Sequence, residues 1–183
     1  MDETTIRLLV DKIAESSIGN STLRGQGAAG VNEVARQFLK KIDLNRFSKS
    51  ETQKEFQEVL DLYTKKLKKG FPEGARNWGA ARKAINIFLR GVVYNRHTRK
   101  FFTLSHIEKW LEIPLDSNVG KGLRMTKYAS QLPNWKSIKS LTPEISSGYQ
   151  LVAKKVAKQL GIKRIHLDIY LWRYRGIEYI KYL

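Results

Sequence analysis

Apolar side chains recur at helical spacing along most of the chain, and no convincing stretch alternates apolar and polar residues as a strand does. The pattern therefore predicts an all-α fold. Four helices are expected in the first half, and their apolar positions fall into four groups. The groups are Ile6, Leu9, Val10 and Ile13; Val31, Val34, Phe38, Leu39 and Ile42; Phe56, Val59, Leu60, Tyr63 and Leu67; and Ile85, Phe88, Leu89 and Val92.

Residues that begin or end helices stand between these groups. A loop rich in Gly and Ser is expected over 16–27. Ser48 and Glu51 have the spacing of a capping box and predict the start of the third helix, which Gly70 ends. After a glycine-containing turn, the fourth helix is expected to begin near Ala80.

The second half predicts shorter helices separated by turns. One short helix is expected over 105–111 and another over 117–128. Thr142 stands as an N-cap before a proline at the first helical position, and Gly161 lies past the end of that helix. A last helix is expected to start near His166.

Composition limits the class of protein. The 183 residues fit one helical domain over 1–183, built as one core or as two small lobes. There is no cysteine, which excludes disulfides and thiol nucleophiles, and the three histidines lack metal-ligand spacing. We therefore expect no metal site. The chain starts without signal-peptide features and has no apolar run of membrane length, so a cytoplasmic protein is expected.

The positive charge is confined to one part of the chain. The net charge is +17, yet residues 1–60 hold nine Lys/Arg and nine Asp/Glu. Residues 61–183 hold 25 basic and eight acidic residues and carry the whole excess. A segregated charge of this size favours a nucleic acid as partner over an anionic membrane surface, although a solvated lysine-rich face would share the composition.

Two predicted helices with a short glycine-containing connection lie at about 51–95. Such a pair can offer backbone N–H groups and a helix N-terminus to a DNA phosphate, although many plain helical hairpins also contain glycine. Basic residues flank the connection and would add charge neutralisation. The predicted DNA contacts are Lys68, Lys69, Arg76, Gly79 and Arg82.

Lys83 lies on a helix that has apolar residues on two sides. Ile87 and Tyr94 fall near Lys83, opposite the main apolar face. A helix of this kind tends to be buried, and burial together with neighbouring cations lowers the pKa of an amine and makes it a better nucleophile. The alternative is a surface lysine near the start of a helix.

Two aspartates complete the candidate chemistry. Asp116 precedes the helix expected from 117 and is either an N-cap alone or an N-cap with a catalytic carboxylate. Asp168 and Trp172 are four residues apart, so they share a helical face on which a carboxylate could accept hydrogen bonds from a base and an indole could stack on it. The alternative is a core tryptophan beside a capping aspartate.

Together these segments resemble the helix-hairpin-helix DNA glycosylases, and most closely the archaeal 8-oxoguanine DNA glycosylase family. The resemblance rests on 80–118, which contains Glu-Ile-Pro before Asp116, and on 165–172; residues 22–38 are more weakly similar. It implies an all-α fold with two helical lobes and a cleft between them. It also implies that Lys83 and Asp116 are catalytic and that Asp168 and Trp172 bind the base.

The family's base-reading glutamine aligns with Thr22, and Gln26 stands four residues further on, so the resemblance implies that Thr22 and Gln26 also bind the base. The resemblance implies a monomeric, nucleoid-associated enzyme that acts on double-stranded DNA containing a damaged base. It would excise 8-oxoguanine through a Schiff base on the lysine and nick the strand as an AP lyase, without a cofactor. Two alternatives stay open: a catalytically silent DNA-binding protein of the same fold, and a glycosylase for another modified base.

Overall fold

The computed structural model describes residues 1–171 and residue 178, and this part of the chain contains helices and no strand. The predicted all-α class is therefore confirmed. The α-helices are α1 (Glu3–Ser17), α2 (Val31–Lys40), α3 (Leu44–Ser48), α4 (Gln53–Gly70), α5 (Trp78–Tyr94), α6 (Arg96–Phe101), α7 (Ser117–Arg124), α8 (Pro143–Gln159) and α9 (Leu167–Leu171). Short 3-10 turns lie at Glu73–Ala75, Ser105–Lys109, Ala129–Gln131, Ile138–Ser140 and Arg164–His166.

The start of α4 differs from the prediction. Thr52 and Glu55 form the capping box, with the Thr52 hydroxyl accepting from the Glu55 N–H at 3.2 Å. Ser48 instead ends α3, a short helix that buries Leu44 and Phe47. The prediction of a Ser48–Glu51 box was wrong because this extra helix occupies the residues before the true cap.

Other boundaries differ by less. The predicted cap at Thr142 is confirmed, and Gly161 follows α8 with a φ of 67°, which favours glycine. α5 starts at Trp78, two residues before the predicted Ala80, because Asn77 caps it. The segment 105–111 contains a 3-10 turn, α7 stops at Arg124, and α3 and α6 had not been predicted.

α5 is the central element of the fold. Every residue from Gly79 to Asn86 is buried, which agrees with the two apolar sides seen in the sequence. One hydrophobic cluster gathers α1 to α5, and a second gathers α7, α8 and α9 around Trp135 and Leu141. Ile138 packs against both clusters beside the start of α5. No helix in the described part of the chain is long and apolar enough to cross a membrane.

Candidate functional site

Lys83 and Asp116 meet at the wall of a surface cavity. The Lys83 amine lies 3.5 Å from Asp116 Oδ2 and donates a hydrogen bond to the Thr22 carbonyl oxygen at 3.1 Å. Three separate segments therefore fix the amine: α5, the start of α7 and the loop between α1 and α2. Sequence analysis named all three residues, and the tertiary fold brings them together.

The amine of Lys83 is poorly solvated, since the residue is only 8% exposed. Burial lowers its pKa, while the charge of Asp116 and the hydrogen bond to it act in the opposite direction and only partly compensate. Lys83 is thus not the surface lysine that the alternative interpretation proposed. An amine with a lowered pKa is present more often in its neutral, nucleophilic form.

Asp116 is the N-cap of α7. Its Oδ1 accepts from the backbone N–H groups of Asn118 at 2.9 Å and Val119 at 3.0 Å. Because the helix holds one carboxylate oxygen, the other is left to face Lys83. The capping role and a chemical role are compatible in this geometry.

The extended segment before Asp116 is anchored from two helices. Gln150 of α8 accepts from the Ile113 N–H at 3.0 Å and donates to the Ile113 carbonyl at 2.8 Å. Glu112 accepts two hydrogen bonds from Arg82 of α5, at 2.8 and 3.0 Å. Since Arg82 and Lys83 are adjacent on α5, this ion pair fixes the segment that carries Asp116 relative to the helix that carries Lys83.

Arg82 is therefore not available for the DNA contact predicted from the sequence. Its guanidinium is 3% exposed and also donates to Asp61 at 2.7 Å and Thr64 at 3.0 Å. Burial opposes ionisation of Glu112, but the charge and hydrogen bonds of Arg82, with smaller help from Arg164 and Asn86, lower its pKa overall. Each of the two buried charges is stabilised by the other. We therefore assign Arg82 a positioning role.

Gly79 is also an interior residue. A Cβ atom there would lie 2.2 Å from the Ile138 carbonyl oxygen and 2.8 Å from the Leu141 Cβ. The glycine allows α5 to approach the turn at Ile138–Ser140, so a direct contact between Gly79 and DNA does not fit its position. Lys68, Lys69 and Arg76 are exposed near the connection of α4 to α5, so their DNA contacts stay a prediction.

Gln26 stands in the interior as well, at 5% exposure. It accepts a hydrogen bond at 3.0 Å from the side-chain amide of Asn77, whose own oxygen caps α5 by accepting from the Ala80 N–H at 2.8 Å. Gln26 therefore supports the start of the lysine helix, and it does not line the cavity that Lys83 faces. Thr22 does line this cavity.

The lysine cavity has a volume of about 560 Å³ and is open to solvent. Lys83, Ile87 and Arg90 line it from successive turns of α5, and Asp168 lines it from α9. Arg90 forms an ion pair with Asp168. Arg90 was overlooked as a site residue, although its position two turns after Lys83 places it on the same face of the helix. Asp168, predicted to bind the base, lines this cavity, whereas Trp172 lies outside the described residues.

A second cavity of about 330 Å³ adjoins the first, and Arg24, Ser117 and Ile138 line both. Its other basic lining residues are Lys121, Arg124, Lys136 and Lys139, and no carboxylate lines it. The sequence analysis had found the excess of positive charge but had not predicted that these side chains line one cavity. Over the part of the chain that the structure describes, no group of three His, Cys, Asp or Glu side chains is arranged to hold a metal ion.

Searches with this chain found no matching protein-family model, no matching curated protein and no matching solved structure.

Proposed function

We propose that this protein is a DNA glycosylase and AP lyase that removes an oxidised purine, with 8-oxoguanine as the first substrate to test. The observation that carries the proposal is the buried Lys83 amine, 3.5 Å from the Asp116 carboxylate, at the wall of a solvent-open cavity. The resemblance to archaeal 8-oxoguanine DNA glycosylases, with their two helical lobes and hairpin, supports the same assignment.

The chemistry begins with a flipped nucleotide, which costs a few kcal/mol of lost stacking and pairing. The neutral amine of Lys83 donates its electron pair to the sugar C1′ while the C1′–N9 bond breaks and its electrons leave with the purine, which takes up a proton. The nitrogen then loses a proton and its lone pair forms the C1′=N bond of a protonated Schiff base, while the C1′–O4′ bond breaks and O4′ takes up a proton. Asp116 stabilises the cationic states and accepts the amine proton.

Strand cleavage follows from the same intermediate. A proton is removed from C2′, a C2′–C3′ double bond forms, and the C3′–O bond breaks, so that the downstream strand leaves with a 5′ phosphate. Water later hydrolyses the imine and regenerates the lysine. These steps use protons and electron pairs only, so they need no redox partner.

Asp168 lines the same cavity and would accept hydrogen bonds from the departing base. Its carboxylate is paired with Arg90, so binding of a base requires the carboxylate to share or exchange that partner. Because Gln26 is held by Asn77, we assign base recognition in this region to Thr22 and Arg24, which line the lysine cavity, rather than to Gln26.

The test is covalent trapping with borohydride on a duplex that contains one 8-oxoguanine. Wild-type protein and a Lys12→Gln control, which changes an exposed lysine of α1, are expected to give equal amounts of trapped complex. Lys83→Gln is expected to give none, and Asp116→Asn to slow trapping by about 10²-fold or more, since one electrostatic partner is lost. Equal trapping by Lys83→Gln would sink the assignment.

A catalytically silent DNA-binding protein is the second candidate. One observation favours it: Lys83 and Asp168 are each engaged by partners within the protein. This candidate predicts duplex binding with no trapped complex for 8-oxoguanine or for any other modified base in a panel. Trapping with a different lesion alone would keep the lysine mechanism and change the substrate.

A further inference from the structure

The basic cavity beside the lysine cavity has features of a binding site for a polyanion. Five cationic side chains line about 330 Å³ with no carboxylate among them: Arg24, Lys121, Arg124, Lys136 and Lys139. Four of these side chains are exposed and form no ion pair with another described residue: Arg24, Lys121, Lys136 and Lys139. Uncompensated cations at this density repel one another, and an anion bound between them would relieve the repulsion.

The wall of this basic cavity is fixed by packing. Trp135 is 6% exposed, and its ring lies so close to α7 that a Cβ at Gly120 would come within 2.6 Å of it. Arg124 donates to the Trp135 carbonyl oxygen at 2.9 Å and lies over the ring of Tyr149. The cations are therefore presented by an ordered surface.

The basic cavity also lies between Lys83 and the helical hairpin, which is the pair α4 and α5 with the short connection over 71–77. At one end, Lys139 stands beside Gly27, whose backbone meets that of Gly74 in the hairpin connection; a Cβ at Gly27 would lie 2.4 Å from the Gly74 carbonyl oxygen. At the other end, Arg24 and Ser117 belong to both cavities. A ligand that leaves the lysine cavity past Arg24 thus enters a row of cations that leads to the hairpin.

We propose that the basic cavity binds the phosphodiester backbone of duplex DNA next to the nucleotide held at Lys83. This inference rests on the proposed function for its placement of the reacting nucleotide. Lysine and arginine neutralise phosphates and position the strand without reading its sequence. The basic cavity therefore positions the phosphodiester backbone beside the lysine cavity, and the lysine cavity selects the base.

The experiment compares two triple variants with equal loss of charge. Lys121→Gln, Lys136→Gln and Lys139→Gln together remove three cations of the basic cavity. Lys12→Gln, Lys49→Gln and Lys54→Gln together remove three exposed cations that line neither cavity. Binding of an undamaged duplex is measured by fluorescence anisotropy over a range of salt concentrations, and circular dichroism checks that each variant folds.

The cavity triple variant is expected to reduce the slope of log K against log salt by at least about 0.9, the contribution of one neutralised phosphate. The control triple is expected to keep the wild-type slope, and Lys→Arg at the three cavity positions should keep it as well. Equal losses in both triples, or no loss in the cavity triple, would overturn the inference. So would tighter binding of a single-stranded RNA of the same length with the same dependence on the cavity lysines.

Borohydride trapping separates this inference from the proposed function. Trapping through Lys83 with an unchanged salt slope rejects the phosphate site and keeps the enzyme. A reduced slope in the cavity triple without trapping for any lesion keeps the phosphate site and rejects the enzyme.

Discussion

The Lys83 amine lies 3.5 Å from the Asp116 carboxylate, and the Arg82–Glu112 ion pair directly beside it ties together the same two segments. The Arg82–Glu112 pair is buried, whereas the Lys83–Asp116 pair faces a cavity. The Arg82–Glu112 pair therefore fixes the distance between Lys83 and Asp116 that the proposed chemistry would use.

Lys83 is expected to titrate at a lower pH than the exposed lysines, because burial lowers its pKa. Asp116→Asn should lower the pKa further, since the aspartate charge raises it. The measurement is an NMR titration of ¹³C-dimethylated lysines, with Lys83→Gln used to assign the signal. Titration of Lys83 together with the surface lysines would contradict the expectation.

The same shift has a consequence for stability. Between the lowered pKa of folded Lys83 and its usual value of 10.5, the unfolded chain binds more protons than the native chain. The Lys83 contribution to the free energy of unfolding therefore rises with pH in that window. Lys83→Gln removes this rise, which urea unfolding at several pH values would detect as a change in slope against wild type.

Glu112→Gln is expected to lower the free energy of unfolding by about 3 kcal/mol, because it leaves the buried Arg82 guanidinium with one carboxylate partner in place of two. Glu15→Gln, which breaks the more exposed ion pair with Lys40, is the control and should cost less than about 1 kcal/mol. Urea unfolding of both variants at neutral pH measures the difference.

The effect of Glu112→Gln should depend on pH in a defined direction. The folded pKa of Glu112 is lowered, so its contribution is present above its usual value of 4.5 and is lost as the pH falls through the lowered pKa. The difference in free energy of unfolding between wild type and Glu112→Gln therefore becomes smaller at acidic pH. If this difference in free energy stays constant down to low pH, the glutamate acts by packing alone.

Gly79→Ala is expected to destabilise the protein by about 1–3 kcal/mol. The new Cβ would meet a backbone oxygen of Ile138 that cannot rotate away, and this overpacking exceeds the gain in helix propensity of about 1 kcal/mol. Gly70→Ala is the matched control, since nothing lies within 4 Å of a Cβ there. Thermal unfolding should show a lower Tm for Gly79→Ala and an unchanged or slightly higher Tm for Gly70→Ala.

Arg90 and Asp168 are expected to be energetically coupled by about 1–3 kcal/mol, because their ion pair is partly buried at the cavity wall. A double-mutant cycle of Arg90→Met and Asp168→Asn measures this coupling by urea unfolding. The exposed pair Arg7–Glu3 of α1 gives the comparison and should couple by about 0.5 kcal/mol or less. Independent effects at Arg90 and Asp168 would refute the pairing.

The amino-acid sequence determined the helical class, the two apolar sides of α5, the cap at Thr142 and the candidates Lys83, Asp116 and Asp168. These features follow from residues close in sequence, because helical periodicity and capping act over a few residues. The misplaced capping box shows the limit of local signals: Ser48 had suitable spacing, but burial of Leu44 and Phe47 decided the element.

Only the tertiary structure decided which polar groups are solvated and which are enclosed. Arg82 and Lys83 are neighbours on one helix, yet Arg82 closes onto Glu112 and Asp61 while Lys83 faces a cavity with Asp116. Gln26, 5% exposed, accepts a hydrogen bond from Asn77, and five cations from three segments of the chain line one cavity. Burial, and with it the pKa of an amine, depends on residues distant in sequence, and so Lys83 acquired its chemical character only when the chain folded.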